Sequence, residues 1–271
     1  MKFPKSMGAV VTGAGSGLGR ALAVDLAQRG ARIVVSDQRK ETAEETATMV
    51  RALGAEAWVE VCDVSKPDEV MALAEAAERH VGEVDLLCNN AGVGGGGPFE
   101  TITLEDWDWI IRINLMGVIY GCKAFMPAMR ERGRGWVLNV ASAAGLLRGP
   151  NMSSYNVTKV AVVGLSETLY AEYRKTGVHV SVLCPTFFRT NIMEDARGET
   201  DPRLKAMAER MMDRSKVQAD GVAKAALDGC EQGDLYVVPM SDGRVMWAIK
   251  RIAPQRFHDL IGSGLLEKLA R

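Results

Sequence analysis

The sequence of 271 residues lacks any C-x-x-C pair. Its five cysteines, Cys62, Cys88, Cys122, Cys184 and Cys230, are odd in number and scattered. That argues against a disulfide framework or a zinc site, and for small core residues in a reducing compartment. An excess of charge is lacking too. The 33 basic and 34 acidic side chains leave a net charge of −1, so nothing electrostatic points to a nucleic-acid partner. No run of about 18 apolar residues occurs, so no spanning helix is expected. No signal-peptide core precedes the first motif, and a cytoplasmic location is expected. The three histidines, His80, His179 and His258, form no ligand spacing, so no catalytic metal is expected. Internal repeats, low-complexity tracts and linkers are absent as well. What is abundant is apolar residue, 47% of the chain, enough for a sizeable core in one α/β domain over residues 1–271.

Short β-branched runs alternate with longer helical patterns. Strands are expected at 8–13, 32–37, 57–64, 84–92, 135–142, 179–185 and 235–239. Helices are expected at 17–30, 41–53, from Pro67 to about His80, at 104–132 and at 153–176, with Pro127 perturbing the long one. Strand–helix alternation with continuously apolar strands implies a parallel sheet covered on both faces. Right-handed crossovers make it a Rossmann-type, doubly wound parallel sheet of about seven strands. Residues 187–216 break the alternation and read as a helical insertion over the substrate. Residues 242–271 form a helical tail whose Val245, Ile249 and Ile252 share one face, with Lys250 and Arg251 beside it. Docking of that tail on its own fold or on a neighbouring subunit is the preferred reading; a lid or weak membrane-surface contact are the others.

Between the first strand and the first helix stands TGAGSGLG, Thr12 to Gly19. Strict G-x-G-x-x-G fails, because Leu18 takes the third position; T-G-x-x-x-G-x-G fits. Gly13, Gly17 and Gly19 let the backbone turn and approach a pyrophosphate at a helix N-terminus. Asp37 closes the second strand, 18 residues past Gly19. A carboxylate there accepts hydrogen bonds from ribose hydroxyls and repels a 2′-phosphate. Ser16 supplies no cation for such a phosphate. Both points favour NAD over NADP; Arg39 and Lys40 just beyond weaken the case, though solvated charges at a helix start are their preferred reading. Asp63 after the third strand is placed to meet an adenine edge, and Asn89–Gly92 to lie near the middle of the cofactor.

Tyr155 and Lys159 stand one turn apart on one helix face. A free phenol has a pKa of about 10 and is a poor base; a nearby cation lowers it. Lys159, with an oxidised nicotinamide, is expected to make Tyr155 a general base, or a general acid in reverse. Ser142, 13 residues before Tyr155 at a strand end, is suited to hold a substrate oxygen. Asn114, polar amid apolar helix positions, caps or kinks its helix or positions a water near Lys159.

TGAGSGLG (12–19), Asp37, Asp63, NNAG (89–92), Asn114, Ser142, YNVTK (155–159) and CPTFFRT (184–190) run in one order. In that order they resemble the short-chain dehydrogenase/reductase family. The resemblance implies a catalytic tetrad of Asn114, Ser142, Tyr155 and Lys159. It also implies a cofactor lining of Thr12, Gly13, Gly15, Ser16, Gly17, Leu18, Gly19, Asp37, Gln38, Arg39, Cys62, Asp63, Val64, Asn90, Ala91 and Gly92, shared with Tyr155 and Lys159. Pro185, Thr186, Phe188 and Thr190 are then expected along the nicotinamide. Thr186 departs from the glycine that many members carry there. A homotetramer or homodimer built on the long helices is also implied.

Residues 93–98, 143–149 and 187–216 are expected to line the substrate pocket, with Gly94–Gly97 leaving open space or permitting loop movement. Gly94, Ala144, Leu146, Leu147, Phe187 and Met193 make it apolar. The expected substrate is a bulky hydrophobic secondary alcohol or ketone: steroid, aryl or long-chain. The alternatives are an NADPH-dependent 3-oxoacyl-carrier-protein reductase and a non-catalytic NAD-binding redox sensor. A nucleotide-sugar epimerase fits the glycine pattern and the length poorly.

Overall fold

The structure, a computed structural model, describes residues 2–193, 196–198 and 202–263, without the side chains of Met193 and residues 203–205. Seven parallel strands form one sheet in the order β3-β2-β1-β4-β5-β6-β7. They are β1 (Gly8–Thr12), β2 (Arg32–Asp37), β3 (Ala57–Val61), β4 (Val84–Asn89), β5 (Gly135–Val140), β6 (Val178–Leu183) and β7 (Tyr236–Val237). Side chains alternate across the sheet, so Ala9 and Val11 enter one core and Val10 the other. Helices α1 (Gly17–Gln28) and α2 (Lys40–Ala52) cover the first face. Helix α3 (Pro67–Val81) covers the opposite one. Burial on both sides explains why β1, β4 and β5 are apolar nearly throughout.

The long helical region is two helices, α4 (Leu104–Ile111) and α5 (Gly117–Arg132), joined by a π turn at Arg112–Met116. The break lies at Asn114 and not at Pro127, around which α5 continues. Pro127 and Lys123, whose carbonyl loses its N–H partner, both face solvent, where water replaces the missing bond. The 104–132 region is long and apolar enough to cross a bilayer, yet it packs through Val118, Phe125, Met126 and Met129 into the second core.

After β5 comes a five-residue helix, α6 (Ala143–Leu147), too short to show a sequence period, then α7 (Ser153–Tyr173). The insertion contains a 3-10 turn at Asn191–Met193 and α8 (Pro202–Arg214). Next, α9 (Ala219–Gln232) completes the first face beside α1. The tail forms α10 (Ser241–Ile252) and α11 (Pro254–Gly262). It docks on its own fold through Gly243, Lys250, Phe257 and Ile261. Val245, Ile249 and Ile252 turn outward, at 58%, 49% and 85% exposure.

A buried polar chain crosses the sheet into α7. Asn89 Nδ2 donates to Asn139 Oδ1 at 2.9 Å, Asn139 Nδ2 to Ser166 Oγ at 3.0 Å, and Ser166 Oγ to the Val162 carbonyl at 2.7 Å. Ser166→Ala leaves the Asn139 amide without its acceptor, which costs about 1–3 kcal/mol. Thermal melts are expected to show a midpoint about 2–4 °C lower for each kcal/mol lost, while calorimetry shows dinucleotide affinity unchanged.

Candidate active site

The strand order reverses direction between β1 and β4, and in open α/β sheets ligands bind at the carboxyl ends of the strands around such a point. Here β1 gives way to the glycine loop and β4 to Asn90–Gly92. Gly13 and Gly17 hold φ of 61° and 50°, values that favour glycine. A Cβ on Gly19 would strike the Gly13 carbonyl and come within 2.6 Å of Asn90 Nδ2. Thr12 Oγ1 accepts the Asn90 and Ala91 N–H groups at 3.0 and 3.1 Å. Asn90 Nδ2 donates to the Thr12 and Gly13 carbonyls at 2.8 and 3.1 Å. Thr12 and Asn90 thus tie the two strand ends together.

Asp37 grips the same loop from the other side. Its Oδ2 accepts the Gly15 N–H at 2.9 Å and its Oδ1 the Arg39 N–H at 3.0 Å. Each oxygen keeps a further lone pair for a hydroxyl. Gln38 and Arg39 are exposed beside it. Ser16 stands at the N-cap of α1 with no side-chain cap bond, so the first amides of the helix lack an internal acceptor. A Cβ on Gly17 would have its nearest neighbours, atoms of Thr190 and Asn191, at 3.9 Å or more. Uncapped amides, room at Gly17 and a carboxylate at the end of β2 suit a dinucleotide: its pyrophosphate to the helix and its ribose to Asp37.

Other expected lining residues are employed in the fold. Asp63 Oδ1 accepts from the Ser65 N–H at 3.0 Å and the Ser65 hydroxyl at 2.7 Å, setting the turn into α3. Cys62 and Val64 bury their side chains in the second core, and Leu18 and Phe188 in the first. Pro185 is buried, while Thr186 and Thr190 are half-buried.

Asn114, Ser142, Tyr155 and Lys159 come together beside Gly92. Ser142 is the N-cap of α6, its Oγ accepting the Ala144 N–H at 3.1 Å. Tyr155 is buried, with Ser142 close enough to its hydroxyl to favour the phenolate. Lys159 is 3% exposed and donates to the Val140 carbonyl at 3.0 Å. Asn114 Oδ1 accepts the Val93 N–H at 2.8 Å and its Nδ2 donates to the Val93 carbonyl at 2.9 Å. The π turn therefore aims Asn114 at the backbone after β4, rather than capping its own helix. A Cβ on Gly92 would meet Asn114 Oδ1 at 3.1 Å and Lys159 Nζ at 3.4 Å.

Burial governs the charges. It pushes the Tyr155 phenol up to about 12, against the opposing influence of Ser142. It pulls the Lys159 ammonium down to about 8, with Cys184 beside it acting the other way. Lys159 by itself does not lower the Tyr155 phenol; the expected lowering rests on Lys159 together with an oxidised nicotinamide. The ammonium sits 5.7 Å from the ring centroid and is committed to the Val140 carbonyl, and burial dominates the phenol. Burial thus favours the protonated phenol, the form that can donate a proton.

The expected substrate lining fares unevenly. Leu146 is buried in the second core, Leu147 and Ala144 are half-buried, and Phe187 is 37% exposed. The Met193 side chain lies outside the described residues. Gly94 and Gly95 leave no open space; a Cβ on Gly95 would come within 2.8 Å of Ile110 Cδ1. A Cβ on Gly94 would meet the Ile192 carbonyl at 2.7 Å, and the Gly96 N–H donates to the Arg197 carbonyl at 3.2 Å. Those glycines admit the insertion at close range. Sequence reading missed Lys250, which reaches α6 from the tail; a lone lysine in an amphipathic helix carries no signal of burial.

The family model for short chain dehydrogenases matches residues 8–201. Levodione reductase of Leifsonia aquatica is 37% identical over 196 residues, 71% of this chain and 73% of that protein. A short-chain dehydrogenase/reductase from Burkholderia phymatum, solved with NAD, is 36% identical with a TM-score of 0.85, covering 92% of this chain and 95% of its own. The 3-ketoacyl-(acyl-carrier-protein) reductase of Brucella melitensis, solved with NADH, is 32% identical with a TM-score of 0.76, covering 86% and 95%. With the glycine loop, the Asp37 clasp and the Ser142–Tyr155–Lys159 cluster all at the carboxyl ends of the strands, these matches show that the chain belongs to the short-chain dehydrogenase/reductase family and is an NAD(P)-dependent oxidoreductase.

Proposed function

We propose that the protein transfers hydride between NAD(H) and a hydrophobic secondary alcohol or ketone. The observation that carries this is the buried Ser142–Tyr155 hydroxyl pair beside Lys159, at the end of a dinucleotide crevice. Thr12–Gly19 and Asp37 would hold the cofactor, and Lys159 the ribose next to its nicotinamide. When bound, the nicotinamide accepts or donates the hydride and, oxidised, adds a positive charge near Tyr155.

Ser142 holds the substrate oxygen by a hydrogen bond. For a ketone, the neutral Tyr155 donates its proton to that oxygen. For an alcohol, Tyr155 takes the proton as carbon loses hydride, so cationic neighbours must first offset the burial that holds its pKa near 12. Asn114 fixes the Val93 backbone at the edge of the site. The exposed Phe187 ring and half-buried Leu147 favour an apolar substrate. Leu104 and Val157, 87% and 49% exposed on α4 and α7, support assembly of a homo-oligomer through those helices.

The Asp37 clasp favours NAD over NADP. Calorimetry is expected to show NAD binding at least about tenfold more tightly, a difference of roughly 1.4 kcal/mol, with the preference lost in Asp37→Ala. Tighter NADP binding by the native protein would favour the NADPH-dependent acyl-carrier-protein reductase reading; the Brucella melitensis relative, solved with NADH, supports that substrate class and not that cofactor. Tight NAD binding without turnover of any alcohol or ketone would favour a redox sensor.

A further inference from the structure

The family model ends at residue 201, yet α10 touches two segments of the site described above. Near its C-terminal end, Lys250 is 6% exposed and donates to the Leu146 carbonyl at 2.7 Å and the Leu147 carbonyl at 3.1 Å. These carbonyls close α6, the helix that begins at Ser142. The last carbonyls of a helix have no partner within it, and a cation there is favourable. On its other side α6 lies against α7, where a Cβ on Gly145 would come within 2.6 Å of the Lys159 carbonyl oxygen. The serine helix is thus clamped between the helix that carries Tyr155 and Lys159 and a lysine from the tail.

The second contact explains a departure in the motif. Thr186 stands where many family members carry glycine. Its hydroxyl donates to the Asp242 carboxylate, with the two oxygens at 3.3 and 3.4 Å. A Cβ on Gly243 would come within 2.7 Å of Thr186 Cγ2. The first turn of α10 is therefore fastened to the Pro185–Thr190 segment, and its last turn to α6. Burial, then the Arg148 guanidinium, pulls the Lys250 ammonium down to about 8, so its place comes at a desolvation cost. An apolar side chain would fill the same space without that cost. What the ammonium adds is fixed positions for two carbonyls.

We propose that α10 is a brace that sets Ser142 against Tyr155 and against the 185–190 segment, with Lys250 as the positioning residue and Thr186 as the second anchor. The proposal rests on the reading that Ser142 and Tyr155 hold the reacting oxygen.

The test compares Lys250→Met with Lys250→Gln in the full chain. Met keeps the bulk and removes the donors; Gln keeps two N–H donors. In Lys250→Met, kcat/KM for a secondary alcohol is expected to fall about ten- to fiftyfold, mostly in kcat, since small misplacements at a reacting centre cost up to about 100-fold. NAD affinity should stay within about twofold, and Lys250→Gln should recover most of the loss. A second readout needs no turnover: amide hydrogen exchange with NAD present. Exchange should quicken across 143–148 and 186–188 and stay unchanged in α1 and α3. A folded Lys250→Met protein with native exchange at 143–148, or with kcat/KM within about twofold of native, overturns the brace. Locally faster exchange in a protein that turns over no alcohol upholds the brace and removes the proposed reaction. If Lys250→Met does not fold, Thr186→Val carries the test: faster exchange at 186–188 upholds the brace and native exchange overturns it.

Discussion

Replacing Tyr155 by phenylalanine is expected to lower kcat by about a thousandfold, within the range of a positioned acid–base group. The ring stays in its buried site, and Ser142 keeps its bond from the Ala144 N–H. Folding and cofactor affinity should therefore hold while proton transfer fails. Steady-state rates and NAD calorimetry on the same preparation check this. Unchanged KM with collapsed kcat marks an interaction made in the transition state. A loss confined to KM would instead make Tyr155 a binding residue.

The second large effect is expected at Gly19. An alanine methyl there meets the Gly13 carbonyl and the Asn90 amide, both fixed by the bonds that join β1 to β4. Overpacking of this kind costs about 1–3 kcal/mol. Because the displaced backbone is the glycine loop itself, NAD affinity should fall by about 100-fold or more, which is roughly 2.7 kcal/mol. Gly54→Ala is the matching control. Gly54 holds φ of 84° with open space around it. Its substitution should cost about 1–2 kcal/mol of strain and leave NAD binding untouched. Equal effects of the two variants on NAD affinity would show that the loss at Gly19 is general destabilisation.

Much of this is legible in the chain. Continuously apolar strands such as VDLLCN mean burial on both faces, and that alone demands a parallel sheet between helix layers. Glycines at 13, 17 and 19 after a strand predict the loop, because few other residues allow such close backbone approach. What escapes has physical reasons. Helix α6 is shorter than two turns and shows no period. A proline reads as a helix breaker, and nothing in the sequence shows that Pro127 faces water or that the π turn at Asn114 answers a tertiary demand at Val93. Pairing Tyr155 with Lys159 by spacing captures their common face but not their burial, which dominates both pKa values. The glycine run at 94–97 reads as open space, since sequence cannot show that Ile192 and Arg197 lie against it. In the tail, the apolar trio stands out and the lysine does not; the fold reverses them, burying Lys250 and exposing Ile252.

Hydride transfer from a carbinol carbon, with Tyr155 carrying the proton, is best followed by isotope. The protein is incubated with NAD and a panel of secondary alcohols deuterated at the carbinol carbon, aryl and long-chain members included, and the label is traced by NMR. Deuterium is expected on the nicotinamide C4 with an apolar alcohol, and label transfer is expected to slow about a thousandfold in Tyr155→Phe. Tight NAD binding with no label transferred from any alcohol, or equal transfer by Tyr155→Phe, would refute the proposed mechanism.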